Sequence, residues 1–337
     1  FIDVLNSYVL MLLLFISSLT MFMSGLVANF EYDLKKIIAL STLSQLGLMM
    51  SILALGESIL AFFHLLMHAL FKALLFMCAG SMIHSLSDCQ DIRFMGSLVN
   101  YMPLTSVFFN ICNLALCGLP FLSGFYSKDL ILEFFSMDWM NSYIYLIFYF
   151  STGLTVSYSI RLVYYTMMGD YMGVGYFSIV DFDKYMIKGM SGLIFFVIFG
   201  GSLVSWLIFP TPYFICLPFV LKLMVLMVVF LGALFGYLIS EVSFSDYSKS
   251  LNLYSFFYFM SLIWNLNYLS TFGVNYYFLV FGSKFNDLID QGWSEYMGSQ
   301  NIYFLMKNNS SNFQLIFNNN IKVFLMLLLI WVCFMLF

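Results

Sequence analysis

Long uncharged apolar runs dominate the chain and restrict the folds that it can adopt. Crossing a hydrocarbon core of about 30 Å takes about 20 apolar residues in an α-helix. Eight stretches meet or approach this length: Val4–Asn29, Ile37–Leu55, Ile59–Ile83, Leu104–Phe135, Tyr143–Met168, Gly189–Phe209, Phe219–Ser240 and Ile321–Phe337. The runs are continuously apolar and do not alternate, which favours helices over a barrel. The sequence therefore predicts an all-α polytopic membrane protein with about eight transmembrane helices.

The composition excludes several classes of function. With 62% hydrophobic and 9% charged residues, the 337-residue chain lies outside the range of soluble domains, which carry about 25% charged residues. A net charge of −4 gives no reason to expect a nucleic-acid partner. The six cysteines form no CxxC pair, and with three histidines they offer no zinc or iron–sulfur spacing. The sequence also has no Gly-rich phosphate loop. We expect no cofactor on this chain.

The charges between the apolar runs predict the orientation of the chain. One side receives six basic residues: Lys35, Lys36, Arg93, Lys184, Lys188 and Lys249. The short loops on the other side carry Glu57 and Asp138 but no lysine or arginine. The positive-inside rule places the basic side on the inner, cytoplasm-like face. For Arg161 and Lys222, near the ends of their helices, snorkelling to the interface is a sufficient explanation, so we assign them no role.

The run Leu104–Phe135 is too long for one straight span. As a single helix it would measure about 48 Å. It contains Gly118-Leu119-Pro120 and Gly124, which favour a break at mid-membrane. A broken helix turns its half-helix ends toward a cavity, an arrangement found at ion sites. The alternative is one strongly tilted or kinked helix.

The region from Ser250 to Asn320 is apolar but contains no uncharged run of spanning length. Its apolar residues recur at spacings of three, four and seven: Phe278, Phe281, Phe285, Leu288, Ile289 and Tyr296. This pattern predicts a long amphipathic helix over about Tyr276–Ser311, lying along the membrane plane or across neighbouring helices. The alternative is two shorter surface helices with a loop at Gly292 or Gly298.

Ionisable side chains inside a predicted transmembrane helix give the first indication of function. His64, His68 and Lys72 lie in one apolar run at a spacing of four, which places them on nearly the same helical face. Such groups are costly in lipid, and histidine and buried lysine are suited to proton exchange near neutral pH. The stripe therefore predicts proton transfer. The alternative is structural hydrogen bonding to neighbouring helices, and a metal site is disfavoured because lysine is a poor ligand.

A second ionisable group follows the predicted break. Lys128 and Asp129 are adjacent, and Glu133 lies one turn later. Lys128 falls near the middle of the over-long span, where the neighbouring carboxylate is expected to stabilise its charge. A cation stabilised in only some states of its neighbours acts as a proton switch. The alternative is a salt bridge that only fixes the break.

Three stretches of the sequence resemble one family. They are Asp33–Gly47 (DLKKIIALSTLSQLG), His64–Gly80 (HLLMHALFKALLFMCAG) and Gly118–Glu133 (GLPFLSGFYSKDLILE). All three are similar to the antiporter-like, proton-translocating subunits of respiratory complex I. A long C-terminal arm is typical of one branch of that family, and the predicted lateral helix resembles it. One departure is Ser97, where the family usually has glycine.

The resemblance implies a fold of two inverted five-helix repeats, each with a broken helix. Residues 1–170 would form the second repeat, 171–249 two further transmembrane helices with their loops, 250–320 the lateral helix region and 321–337 a C-terminal transmembrane anchor. The chain starts at Phe1 and not at methionine. We therefore expect an upstream half, either missing from this sequence or present as a separate chain.

The resemblance also implies residue roles and partners. His64, His68 and Lys72 would belong to a central hydrophilic axis that ends at Lys128, with Asp129 as the partner of that lysine. FMN, iron–sulfur clusters and quinone would be bound by partner subunits. The expected neighbours are the other membrane-arm subunits, especially the sister antiporter-like subunits along the lateral helix, and membrane lipids. The expected location is the mitochondrial inner membrane.

Three functions follow from these observations. The first is a proton-translocating subunit of an NADH:ubiquinone reductase, with no redox chemistry on this chain. The second is a subunit of a multi-subunit cation/proton antiporter, which shares the same motifs. The third is a structural scaffold whose lateral arm clamps its neighbours, which gains weight if the upstream half is absent. We favour the first.

Overall fold

The computed structural model describes residues 4–137, 142–173, 175, 179–181, 184–241, 253–318 and 320–337. Within these ranges the secondary structure is helical, with one isolated β-bridge between Asp33 and Asp91. The prediction of an all-α protein is confirmed. The chain divides into two compact units, Phe1–Trp264 and Asn265–Phe337. Two charges used above for the orientation, Asp138 and Lys249, lie outside the described residues.

The first unit consists of ten helices among its described residues. They are α1 (Ser7–Ala28), α2 (Leu34–Ala54), α3 (Ser58–Ser85), α4 (Leu98–Tyr101), α5 (Pro103–Cys117), α6 (Ser123–Met137), α7 (Ser142–Val163, extended by π-helical turns over Tyr164–Met168), α8 (Lys184–Ile208), α9 (Phe219–Glu241) and α10 (Tyr254–Ser261). Six of them, α1, α2, α3, extended α7, α8 and α9, are long and apolar enough to cross a bilayer. The chain is therefore a multi-pass membrane protein.

The predicted broken run is divided into α5 and α6. Each has 15 residues, so each measures about 22 Å and is too short to span alone. Gly118 ends α5 with φ +82°, a left-handed conformation that suits glycine at a helix C-terminus. The second half-helix then packs tightly against the first, because a Cβ added at Gly124 would lie 1.8 Å from the Ala115 carbonyl oxygen. The break depends on these two glycines.

The departure from the family at Ser97 has a local consequence. Ser97 has φ +44°, in the left-handed region where side chains are disfavoured and glycine is not. Its backbone N–H donates to the Gly169 carbonyl at 2.7 Å, which holds the turn in place. The usual glycine therefore has a physical reason, and serine occupies the same conformation here.

The second unit contains two helices. The first, α11, runs without interruption from Tyr268 to Phe317, and the second, α12, covers Ile321–Leu336, with a 114° change of direction between them. Gly292 and Gly298 lie in π-helical turns of α11 and not in a loop. The prediction of one long helix is confirmed, with a longer range than expected. Its placement along the membrane stays a prediction.

Candidate functional site

The ionisable stripe of α3 faces the interior of the first unit. His64, His68 and Lys72 are 1%, 9% and 4% exposed. They share one face because α3 is helical throughout Ser58–Ser85 and their spacing is four residues. That face is covered by neighbouring helices, since α3 packs against α2, α5, α6 and α8. The side chains therefore do not point toward lipid.

His64 connects three helices through its two ring nitrogens. Nδ1 lies 2.9 Å from Ser127 Oγ on α6, and Nε2 lies 3.2 Å from Gln45 Oε1 on α2. The Gln45 oxygen only accepts, so Nε2–H donates to it. Ser127 Oγ also lies 3.3 Å from the Gly124 carbonyl oxygen, to which it can donate. Ser127 can thus donate to a neutral imidazole or accept from a charged one, so these contacts accommodate both protonation states of His64.

His68 occupies the middle of the stripe. Its ring centroid is 6.3 Å from that of His64, and its edge packs against Phe71 at 5.3 Å. Among the described residues, its Nε2 has no hydrogen-bond partner although the atom is buried. Buried polar atoms normally have a partner in the protein or in ordered water. His68 is the member of the stripe whose hydrogen bonding the described chain does not complete.

Lys72 ends the stripe. Its Nζ donates to Ser41 Oγ of α2, and the Ser41 hydroxyl in turn donates to the Ile38 carbonyl at 2.7 Å. Cys112 and Lys128 are its electrostatic neighbours. The only charged group among these neighbours has the same sign as Lys72, so its charge is balanced by dipoles and not by a carboxylate.

Lys128 lies on α6 just after the break and is 4% exposed. Its Nζ donates to Thr155 Oγ1 of α7 at 2.8 Å and to the Leu116 carbonyl at 3.3 Å. Leu116 is in the last turn of α5, where carbonyls have no intrahelical partner and the helix carries partial negative charge. The break therefore supplies an acceptor that an unbroken helix would not have.

The predicted partnership of Lys128 with Asp129 stays a prediction. No ion pair joins the two residues in the part of the chain that the structure describes. Successive side chains on a helix diverge, so neighbouring residues on α6 face different helices. Asp129 instead shares a half-buried face with Glu133, four residues later. Lys128 and Asp129 are adjacent in sequence but belong to different surroundings.

The structure brings the stripe and Lys128 together through Ser127. His64 contacts Ser127, the residue before Lys128, at 2.9 Å. Lys128 is also an electrostatic neighbour of both His64 and Lys72. The predicted groups therefore occupy one region of the first unit, and polar side chains rather than a continuous apolar layer lie between α3 and α6.

Arg161 was assigned to snorkelling, and the structure shows a different arrangement. The side chain is 3% exposed, and its Nη1 donates to the carbonyls of Glu31 at 2.8 Å and Ala28 at 3.4 Å. Its guanidinium also lies 4.8 Å from the centre of the Tyr32 ring. Arg161 thus holds the C-terminal end of α1 against α7. This contact cannot be predicted from the sequence, because the hydrogen-bond acceptors are backbone oxygens more than 100 residues away.

Arg93 contacts the same tyrosine from the exposed turn between α3 and α4. Its guanidinium is 4.3 Å from the Tyr32 ring centre, and its Nη2 lies 2.5 Å from Asp91 Oδ2. Hydrogen bonding from Arg93 holds the pKa of Asp91 below its ordinary value. The Tyr32 ring therefore contacts two arginines, one exposed and paired with a carboxylate, the other buried.

Replacing Arg161 by methionine is expected to destabilise the subunit by about 2–3 kcal/mol, because two buried carbonyls lose a charged donor. The check is the temperature at which the assembled complex carrying the variant dissociates. The control is Arg93→Met, which removes an exposed arginine from the same tyrosine and should change stability by about 1 kcal/mol or less. Equal losses for the two variants would contradict the structural role of Arg161.

Two family models match the chain. The model described as "NADH:quinone oxidoreductase/Mrp antiporter, TM" matches residues 1–155, and the model described as "NADH dehydrogenase subunit 5 C-terminus" matches residues 158–337. Together they leave only residues 156 and 157 unmatched. The boundary between them lies within α7.

Curated relatives extend over nearly the whole chain. The NADH-ubiquinone oxidoreductase chain 5 of Locusta migratoria is 55% identical over 319 residues, which is 95% of this chain and 56% of the relative. That of Anopheles gambiae is 52% identical over 332 residues (98% of this chain, 57% of the relative), and that of Mus musculus 40% over 253 residues (75% and 42%). The chain thus spans about half the length of the relatives that it matches.

Proposed function

Because the chain belongs to the NADH dehydrogenase subunit 5 family, we propose that it is a proton-translocating membrane subunit of respiratory complex I. It passes protons along the buried His/Lys axis, and the driving reactions, NADH oxidation and ubiquinone reduction, occur in other subunits. The family branch is the one that the C-terminal arm indicated. As a multi-pass member of this family, the chain is located in the mitochondrial inner membrane.

One observation carries the proposal: three ionisable groups of α3 are buried on one face, and His64 among them contacts Ser127 of the half-helix that carries Lys128. Burying such groups without function is costly in a membrane protein. The partners of His64 and Lys72 are serine and glutamine side chains, and those of Lys128 are a threonine hydroxyl and a backbone oxygen, so hydrogen bonds can rearrange as a proton moves. The arrangement suits proton transfer better than metal binding or substrate catalysis.

Each residue of the axis has a defined part in the transfer. Lys72 holds a proton against Ser41 at one end, and His68 lies between Lys72 and His64. His64 accepts or releases a proton while Ser127 reorients its hydroxyl. Lys128 then holds the proton at the break. Since Lys72 and Lys128 carry the same charge, a proton on one disfavours a proton on the other, which couples the two ends of the axis.

Asp129 and the partner subunits complete the proposal. Asp129 takes up protons on a different face of α6 from the Lys128 ammonium. Residues 1–170 act as the second five-helix repeat, 171–249 as two further transmembrane helices with their loops, 250–320 as the lateral helix region along the sister antiporter-like subunits, and 321–337 as the membrane anchor. Partner subunits bind FMN, the iron–sulfur clusters and quinone, and lipids surround the helices.

Replacing Lys72 by alanine tests the axis directly. Proton pumping by the assembled complex is expected to fall roughly tenfold, less than is usual for loss of an acid–base group because His68 remains beside the gap. The measurement is the ratio of protons translocated to electrons transferred from NADH in sealed inner-membrane vesicles. The matched control is Lys188→Ala, an exposed lysine on α8 that should pump normally. An unchanged ratio in Lys72→Ala would exclude the axis.

A cation/proton antiporter subunit is the second candidate, because the model that matches residues 1–155 is described by both types of protein. The distinguishing measurement is a sodium-dependent pH change in vesicles without NADH. The match to the subunit 5 C-terminus over residues 158–337 favours complex I.

A further inference from the structure

The half-helix α6 carries two acidic side chains on a face with which Lys128 forms no ion pair among the described residues. Asp129 and Glu133 are four residues apart on α6, both half-buried, and each is an electrostatic neighbour of the other. The Nζ of Lys128 is directed to Thr155 and Leu116 instead. Two carboxyl groups on one face of a membrane helix require a source of positive charge or protons.

Helix α9 brings such a source to this face. It packs against α7 and α6, and its Val225 is buried in an apolar cluster with Ile131 and Leu132 of α6. Lys222 precedes Val225 by three residues, so it lies one turn nearer the start of α9 and close to the same face, with its side chain exposed. Lys222 is an electrostatic neighbour of both Asp129 and Glu133.

The loop before α9 is fixed against the same end of α6. Tyr213 in this loop donates from its hydroxyl to Glu57 Oε2 at 3.1 Å. Its ring packs edge-on against Phe134, the neighbour of Glu133, at 5.6 Å, and against Phe209 at 5.4 Å. These contacts hold the first residues of α9 close to the acidic face.

In the described helices around α6, the cation of α3, Lys72, donates to Ser41 of α2, and Lys222 is the only cation among the electrostatic neighbours of the acidic pair. From α7, Tyr145 and Tyr149 approach it, and the buried Tyr149 hydroxyl has no hydrogen-bond partner among the described residues. The sequences of α5 and of α8 after Lys188 contain no charged residue. From α3, His64 contacts Ser127 on a different face of α6, and Glu57 is paired with Tyr213.

We propose that Lys222 is a positioning residue for proton transfer, a cation whose charge favours the carboxylate forms of Asp129 and Glu133 against the cost of their burial. This assignment rests on the proposed function. The residues of α6 then have two different electrostatic surroundings. Lys128 donates to acceptors on α5 and α7, whereas the acidic pair lies in the field of Lys222 on α9 without a direct ion pair among the described residues. The C-terminal part of the chain then contributes directly to the proton path.

The test measures proton pumping by the assembled complex as a function of pH in Lys222→Gln, Lys222→Met and Lys222→Arg. Without the cation, the carboxyl groups need a higher pH to lose their protons. The acidic limb of the pumping profile should therefore move to higher pH by about one unit in the two neutral variants. Lys222→Arg should restore the original profile. The control Lys188→Gln, which removes an exposed lysine from α8, should not move it.

A profile for both neutral variants that coincides with the original would overturn the role of Lys222, and it would leave the proposed function intact if Lys72→Ala still reduced pumping. Should Lys72→Ala and Lys128→Ala pump normally, the proposed function fails. The role of Lys222 is then tested by infrared spectroscopy of the purified complex. The band to follow is the carboxylic-acid band that disappears in Asp129→Asn and Glu133→Gln. Titration of that band at higher pH in Lys222→Gln supports the assignment, and unchanged titration overturns it.

Discussion

Replacing Lys128 by alanine is expected to reduce proton pumping by the assembled complex roughly 100-fold, the usual effect of removing a positioned proton-transfer group. The reason is that Nζ is the ionisable atom at the break, held by Leu116 of α5 and Thr155 of α7. Alanine leaves both acceptors in place, but no ionisable group then remains at this position to carry a proton between α3 and the far side of α6. Quenching of a pH-sensitive dye in inverted vesicles supplied with NADH measures the loss.

The control for this experiment is Thr155→Val. It removes one acceptor of Lys128 but keeps the lysine and its hydrogen bond to Leu116. Pumping should fall by much less than in Lys128→Ala, and the amount of assembled complex should be the same for both. Full pumping in Lys128→Ala at normal assembly would show that protons do not pass through this residue.

Replacing Gly124 by valine is expected to prevent assembly of the subunit. A Cβ at this position would lie 1.8 Å from the Ala115 carbonyl oxygen, well inside van der Waals contact with the backbone of α5. Separating the two half-helices to relieve the clash would expose the break and remove the acceptors of Lys128. We expect a loss of more than about 4 kcal/mol, a value reached only by severe packing defects. Native electrophoresis of solubilised membranes measures the assembled complex.

A second glycine provides the comparison. Gly80 lies in α3, and a Cβ there would meet no atom within 4 Å. Gly80→Ala should assemble normally and add about 1 kcal/mol of helix stability. If Gly124→Val assembled as well as Gly80→Ala, the close packing of α5 and α6 would not be needed.

The break and the ionisable stripe could both be predicted because their signals are local. Gly118, Pro120 and Gly124 interrupt an over-long apolar run, and the structure divides that run between Cys117 and Ser123. The spacing of His64, His68 and Lys72 fixes their common face in any helix. Which way that face pointed depended on the neighbouring helices, but burial of three ionisable groups away from lipid is the less costly solution.

The partners of the charged groups could not be predicted, because they come from distant parts of the chain. Lys128 stands beside Asp129 in sequence, yet its acceptors are a carbonyl 12 residues earlier and a hydroxyl 27 residues later. Arg161 likewise binds carbonyls 130 and 133 residues earlier. A sequence does not show which backbone oxygens accept a hydrogen bond from a side chain. A charged residue that binds such oxygens therefore looks unpaired when only the sequence is known.

The π-helical turns of α11 also could not be predicted from the spacing of its apolar residues. The spacing of its apolar residues was interpreted with 3.6 residues per turn, whereas Asn286–Ser294 and Tyr296–Gln300 are wound more widely. Continuity of the helix followed from the absence of a strong breaker, but the angular position of each side chain did not.

The neutral acceptors of Lys128 affect what remains behind when its proton departs. An ammonium bound to a carboxylate leaves an isolated anion after deprotonation, at a penalty of several kcal/mol away from water. A carbonyl and a hydroxyl carry no net charge, and the hydroxyl can turn to donate to the neutral amine that they now surround. Under the proposed function, loss of the proton from Lys128 would therefore leave no unpaired anion at the break.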